Sequence, residues 1–505
     1  MRPLVPLVLG LTALGFGQRP IELTILHNND LHSHVESTII QKKPYGGFAR
    51  ISSLVKSYRN KEKNLLLLNS GDTFQGTLYF NVYEGLAEVA WMNQIRYDAM
   101  ALGNHEFDKG PGPLSLFVKN ANFPVLGANV DFSAEPSLKD QIKGSTIVTV
   151  GGQRIGIIGA VTEDTPSISS PGPTIKFLST VTSVQAQVDA LEKQGINKIV
   201  LLTHIGYQED QDLAKQLRGV DLVLGGHSHT PLGTPDLPGW PKSRGDYPTV
   251  VSDLAGSKVP VFQCWEWGKV LGEVKLAFDA KGNLTKWTAK PIVVDESIPE
   301  DKEALALVTA LQKPLLALAG QELGQALGTL ERAPINGYGD SPMSQIIADA
   351  MLAEAKKGGA VAAFINSGGV RGTIEAGKIT FGAAISVQPF NNTLVLLDLS
   401  GQELQAALDQ GAQTGGRLLP SEGTTYRIVD GKATEVVVGG EALDLSKTYR
   451  IALASFTANG GDAHLILKAA KGKRMDTGIL DIDCLIAYIK TKTPVTPATT
   501  GRIRF

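Results

Sequence analysis

Between Ile21 and about Val294, short apolar runs alternate with longer stretches of helical spacing. The runs at 21–26, 65–68, 99–102, 155–158, 199–202 and 222–224 are apolar almost throughout, as strands buried on both faces require. Val184, Val188 and Leu191 recur at helical intervals, so residues 182–193 predict a helix covering such a sheet. Residues 299–318 are rich in Ala and Leu at helical spacing and are interrupted by Pro314, which predicts a helix between two differently patterned halves. From Gln321 a second α/β pattern begins, with a helix at 344–356 and a strand at 361–365. Ser400 followed by Glu403 forms a capping box that opens a helix at 401–410.

At 505 residues the chain exceeds one ordinary core. The pattern divides it into residues 18–298 and 321–505, joined by a linker helix at 299–320. Hydrophobic and charged contents of 43% and 19% exclude a disordered chain. A formal net charge of -2 offers no basic surface for nucleic acid or an anionic membrane. Residues 1–17 place Arg2 before an apolar run that ends in small residues near Gly17, the pattern of a signal peptide. Export to the periplasm or the extracellular space is expected. No later segment is long and apolar enough for stable membrane insertion. Cys264 and Cys484 are expected in different domains as two buried thiols, with a disulfide as the alternative in an exported protein. Oligomeric state leaves no mark on the sequence.

The chemistry is concentrated where the strands stop. Seven of the eight histidines lie in the first 230 residues. The polar clusters read His27-Asn28-Asn29-Asp30-Leu31-His32-Ser33-His34, Gly71-Asp72, Gly103-Asn104-His105-Glu106-Phe107-Asp108, Thr203-His204 and Gly225-Gly226-His227-Ser228-His229. In open α/β folds ligands gather beyond the carboxyl ends of the strands, so these clusters can converge on one edge. Carboxylate, amide and imidazole groups together can hold two divalent metals, and metals about 3.5–4 Å apart activate a bridging water for in-line attack on phosphorus. Asp30 and His32 stand two residues apart in one loop. Asp72 has two oxygens with which to bridge, Asn104 offers an amide oxygen, and His204, His227 and His229 offer ring nitrogens. His105 and Asp108 form another kind of pair, in which the carboxylate orients an imidazole that faces the phosphoryl or leaving oxygen. Mixed ligands of this kind suit Zn, Mn, Co or Fe and do not choose among them.

These blocks resemble the calcineurin-like metallophosphatases, and nearly the whole chain resembles the 5'-nucleotidase family within them, which includes periplasmic UDP-sugar hydrolases. The resemblance implies an N-terminal metallophosphatase α/β sandwich of two sheets flanked by helices and a C-terminal α/β nucleotide-binding domain. It implies that Asp30, His32, Asp72 and His229 hold one metal, that Asp72, Asn104, His204 and His227 hold the other, and that His105 and Asp108 are the catalytic dyad. His34 is read as supporting the ligands. Asn366-Ser367-Gly368-Gly369-Val370-Arg371 is similar to the block whose Asn meets the base and whose Arg meets phosphate. The blocks from Pro389 to Asn392 and from Phe456 to Asp462 resemble those that clamp the base between Phe390 and Phe456 and bind ribose through Asp462. Where relatives carry further arginines before the helix that opens this domain, this chain has only Arg332.

The expected activity is release of phosphate from nucleoside 5'-monophosphates. Hydrolysis of 2',3'-cyclic nucleotides or UDP-sugars at the same site remains open, as does the sulfur-oxidising branch of the superfamily, against which the paired Phe blocks argue. A nucleotide- or metal-binding surface protein without turnover is the non-enzymatic alternative; the dyad argues against it. No nucleophilic Ser or Cys accompanies the metal clusters, so no covalent phosphoenzyme is expected. His27 and His464 are read as core or loop residues, Glu106 as structural, and Trp265 and Trp267 as packing on alternate faces of a strand.

Overall fold

The computed structural model describes residues 19–390 and 392–505; the expected signal peptide lies outside the described residues, as does Asn391. Two six-stranded sheets stack in the N-terminal half. One runs in the order Leu284–Val293, Val270–Phe278, Ile21–Asn28, Leu65–Asn69, Ala99–Ala101, Val125–Leu126. The other runs Thr249–Ser252, Lys258–Phe262, Leu222–Leu224, Ile199–His204, Gln153–Val161, Ser145–Val150. Side-chain alternation builds the layers. Leu23, Ile25, Leu66 and Leu68 of one sheet meet Ile155, Ile157, Val200 and Leu202 of the other in a closed apolar interior. The intervening residues face outward, Leu26 and Leu67 toward helix Phe48–Lys61, and Leu201 and Ile199 toward helix Thr180–Lys193. Burial on both faces accounts for the continuous apolar runs.

The central strands are parallel. Ile21–Asn28 pairs with Leu65–Asn69, and Ile199–His204 pairs with both Gln153–Val161 and Leu222–Leu224 in that sense. Their carboxyl ends therefore open onto the same rim of the sandwich.

The linker helix runs unbroken from Lys302 to Ala319, through Pro314, where the sequence pattern places an interruption. Val308 before the proline and Leu315 after it are buried in the same N-terminal core, which holds both halves of the helix in line against a cost of about 3 kcal/mol for an internal proline. Asp301 caps the helix by accepting from the Ala304 N–H at 3.0 Å.

The C-terminal half has one core around a five-stranded sheet ordered Leu418–Pro420, Ala362–Asn366, Thr448–Ala454, Thr393–Ser400, Arg474–Leu480. Helices Pro342–Ala355, Gly401–Thr414 and Asp481–Lys492 pack on it. The Ser400–Glu403 capping box is present at the start of Gly401–Thr414. Ala362–Asn366 and Thr448–Ala454 are parallel, so Asn366 and Phe456 emerge from neighbouring carboxyl ends. Cys264 and Cys484 are buried free thiols. Among the described residues no helix is long and apolar enough to cross a membrane.

Candidate active site

The rim of the N-terminal sandwich gathers every polar cluster. Asp30, His32 and His229 bring ligand atoms within 4.8 Å of one another, as do Asp72, His204 and His227, and a further group joins His32, Asp72 and His105. Asp72 belongs to two of these groups, the position a bridging ligand needs. The Asn104 amide oxygen lies 2.9 Å from Nδ1 of His227. Asp30, His32, Asp72, His227 and His229 all have positive φ, between 46° and 78°. That conformation costs a non-glycine residue roughly 1–3 kcal/mol and persists where its surroundings over-determine it. Those surroundings are tight. A Cβ on Gly71 would come within 2.7 Å of the Gly103 nitrogen, and one on Gly226 within 2.8 Å of the His204 ring.

Hydrogen bonds fix the imidazole tautomers. Nδ1 of His32 faces the Phe74 carbonyl at 3.1 Å, and Nδ1 of His204 faces that of Ser70 at 2.7 Å. Nδ1 of His229 is held by the Glu266 carboxylate. Each Nε2 is thereby turned into the cluster. Nε2 of His32 and Nε2 of His229 meet at 3.1 Å, and only a proton or a cation between two such lone pairs reconciles that contact. Nε2 of His204 is buried without a well-formed hydrogen bond, 2.9 Å from the Asp72 carboxylate. These converging nitrogen and oxygen atoms suit divalent cations.

Electrostatics agree. Burial depresses His32 to about 3 and His227 to about 4, leaving both rings neutral. Burial also opposes the charge on His204, but Asp72 and Asp30 outweigh it and raise that ring to about 9. His229 is raised to about 10 against burial by Asp30 and Glu266. For Asp30, burial is outweighed by His229 and His204, which hold its carboxyl below the usual range. A metal ion would displace protons held in this way.

His105 stands beside the cluster, with Nδ1 2.5 Å from Oδ2 of Asp108 and Nε2 3.9 Å from Asp72. Burial opposes its charge, but Asp108 and Asp72 prevail and raise it to about 9. Ser169 donates to the other Asp108 oxygen at 2.7 Å. Glu106 accepts from the backbone N–H groups of Asp72, Thr73, Phe74 and Gly103 at 2.6–3.1 Å, tying two clusters together. His27 packs in the core with Nε2 2.6 Å from the Tyr247 hydroxyl, and His464 is buried in the C-terminal domain. His34 stacks on Trp267 at 4.1 Å.

Trp265 and Trp267 are not on a strand. Both have positive φ in the loop before strand Val270–Phe278, where Lys269 lies over their rings at 3.5 and 4.2 Å. Sequence reasoning also missed Glu266 and Ser169. Each is met only through the fold, 37 residues from His229 and 61 from Asp108 respectively.

The C-terminal residues close over this rim. Asn104, His105, Asp108 and His227 line a cleft of about 290 Å³ together with Asn366, Arg371, Phe390, Phe456 and Asp462. Phe390 lies near-parallel to His105 at 6.1 Å, and the Arg371 guanidinium sits 5.5 Å from the Phe390 ring. Asn366 donates to Asp462 at 2.7 Å and accepts from Thr457 at 3.1 Å.

Residues 23–231 match the calcineurin-like phosphoesterase family, and residues 324–469 match the 5'-nucleotidase C-terminal domain. The chain is 36% identical to the 5'-nucleotidase of Bos taurus, over 96% of this chain and 91% of that protein. It resembles the crystal structure of a 5'-nucleotidase precursor from Thermus thermophilus, with 42% identity, a TM-score of 0.86 and coverage of 96% and 99%. A Haemophilus influenzae NAD nucleotidase shares the fold at 26% identity and a TM-score of 0.63, with coverage of 96% and 99%. With the phosphoesterase rim, the C-terminal domain and homology along almost its full length, the chain belongs to the 5'-nucleotidase family and is a hydrolytic enzyme of the metallophosphatase type.

Proposed function

We propose that this enzyme is exported and releases phosphate from nucleoside 5'-monophosphates with two divalent cations. The observation that carries the reading is the cleft in which Asn104, His105, Asp108 and His227 of the rim face Phe390, Phe456, Asp462 and Arg371. On this rim Asp30, His32, Asp72 and His229 would hold one cation, and Asp72, Asn104, His204 and His227 the other. Such ions activate water and withdraw charge from a phosphoryl group.

The chain's own residues supply the rest. Phe390 and Phe456 present ring faces that stack on a base with little demand on its identity. Asp462 accepts from ribose hydroxyls. Arg371 offers a fork of donors to phosphate. His105 stabilises phosphoryl oxygens or the leaving oxygen, and Asp108 orients it. A cleft of about 290 Å³ lies at the small end for ligand sites, near the ~300 Å³ lower bound, which favours a mononucleotide over a nucleotide-sugar.

The test is phosphate release by metal-loaded enzyme from AMP, other 5'-monophosphates, UDP-glucose, 2',3'-cyclic AMP and an aryl phosphate. Release fastest from 5'-monophosphates and abolished by chelator is expected. Release from the aryl ester alone would overturn the nucleotide clamp, and UDP-glucose as the best substrate would overturn the mononucleotide reading.

A further inference from the structure

Behind the metal rim lies a side chain that the proposed reaction does not use. Lys269 is buried, with 1% of its side chain exposed, and its ammonium lies 2.7 Å from Oε1 of Glu266. The other Glu266 oxygen holds Nδ1 of His229. The ammonium also sits 3.5 Å from the ring centre of Trp265 and 4.2 Å from that of Trp267. Trp267 in turn stacks on His34, whose Nδ1 faces the His32 carbonyl at 2.8 Å.

Backbone contacts bind the same loop to the same corner. The Trp267 N–H donates to the Asp30 carbonyl at 2.7 Å, and Asn29 donates to the Trp265 carbonyl at 2.8 Å. The loop is tightly wound, with Trp265, Trp267 and Gly268 all at φ between 55° and 65°. Side-chain alternation in a strand would put both tryptophans on one face; the left-handed turns bring both rings to a single cation instead. The loop therefore touches Asp30 and His229 and reaches His32 through His34, and its one buried cation faces the carboxylate that orients His229.

A buried ammonium is costly unless it is paired and its hydrogen-bonding protons are directed. Here its partners are one carboxylate and two ring faces. With Oε1 of Glu266 held by this cation, its other oxygen is presented to His229. A carboxylate behind a ligating imidazole orients the ring and sharpens its hold on a metal.

We propose that Lys269 is a positioning residue for one of the two cations, acting through Glu266 on His229. This rests on the metal-site reading above and adds a dependence that the ligand set alone does not contain: affinity at the Asp30–His32–His229 corner should need Lys269, while the Asn104–His204–His227 corner should not.

The test titrates Mn²⁺ into chelator-stripped full-length protein by calorimetry, for wild type, Lys269→Met, Glu266→Gln and the double variant. In wild type two equivalents should bind. Lys269→Met should weaken one equivalent by about 10- to 100-fold and leave the other near its wild-type affinity. The double variant should be no weaker than Glu266→Gln, because both changes break one linkage. Wild-type affinity in Lys269→Met, equal weakening of both equivalents, or additive losses in the double variant would overturn the proposal. Failure of wild type to bind two equivalents would instead overturn the metal-site reading beneath it. If Lys269→Met does not fold, Glu266→Gln carries the test. It keeps an acceptor for His229 but removes the charge facing Lys269, and unaltered affinity in it would likewise overturn the proposal.

Discussion

The two walls of the cleft are built in opposite ways. The N-terminal wall is rigid by construction: Asp30, His32, Asp72, Asn104 and His204 are all buried, and each leaves a strand end or a loop tied to its neighbours by backbone hydrogen bonds. Across the cleft, Arg371 is exposed, Phe390 and Phe456 are half-buried, and only Asn366 is enclosed. On the proposed function, the difference follows from what each wall would handle. Cation ligands lose their function when displaced by a fraction of an ångström, so strain and burial hold them. Stacking and charge pairing tolerate small displacements, so the clamp needs less enclosure.

Replacing His105 by Ala tests the rigid wall. We expect kcat for AMP to fall by roughly 10²- to 10⁴-fold, with metal content by elemental analysis unchanged. Loss of metal in parallel would instead make His105 a ligand, which its distance of 3.9 Å from Asp72 permits. Replacing Phe390 by Ala tests the adaptable wall. Base stacking worth about 1–3 kcal/mol predicts a KM for AMP about 5- to 150-fold higher, with release from an aryl phosphate unaltered. An equal loss on both substrates would show that Phe390 acts by packing on His105 and not on a base.

The smallest effect concerns the pH dependence of the rigid wall's scaffold. Burial pushes the Asp221 carboxyl up to about 7, while it accepts from the Ile199 N–H at 2.7 Å at the start of the strand that ends in His204. The folded protein therefore keeps a proton that the unfolded chain has released near pH 4. This contribution to stability is present below pH 4 and is lost as pH rises toward 7. Asp221→Asn should flatten that part of the pH profile of urea unfolding relative to wild type, and an unchanged profile would contradict the raised carboxyl.

Much of the rigid wall was legible in the chain. Strand ends followed directly by Asn-Asp-x-His, Gly-Asp or Gly-Gly-His mark where polar side chains gather on one rim, because glycine permits the close approach and the polar residues cannot continue a buried strand. Glu266 and Ser169 were illegible because their partners are set by the stacking of two sheets, which no local pattern records. Trp265 and Trp267 misled for a related reason. Residues two apart share one face of a strand, so even a strand would not have set them on alternate faces, and the left-handed backbone around them makes a turn. The interruption expected at Pro314 failed because propensity acts on an isolated helix, whereas this one is held along its length by the N-terminal core.

Strand Ile21–Asn28 lies between Leu65–Asn69 and Val270–Phe278, pairing with the first in parallel and with the second in antiparallel register. The segment that delivers Asp30 and His32 thus leaves a ribosome before both of its neighbours, one of which is almost 250 residues behind it. A growing chain cannot complete the corner proposed to hold a cation until nearly the whole first domain has been synthesised. On the proposed function, metal capture is thereby deferred to the finished fold, in whatever compartment the chain folds.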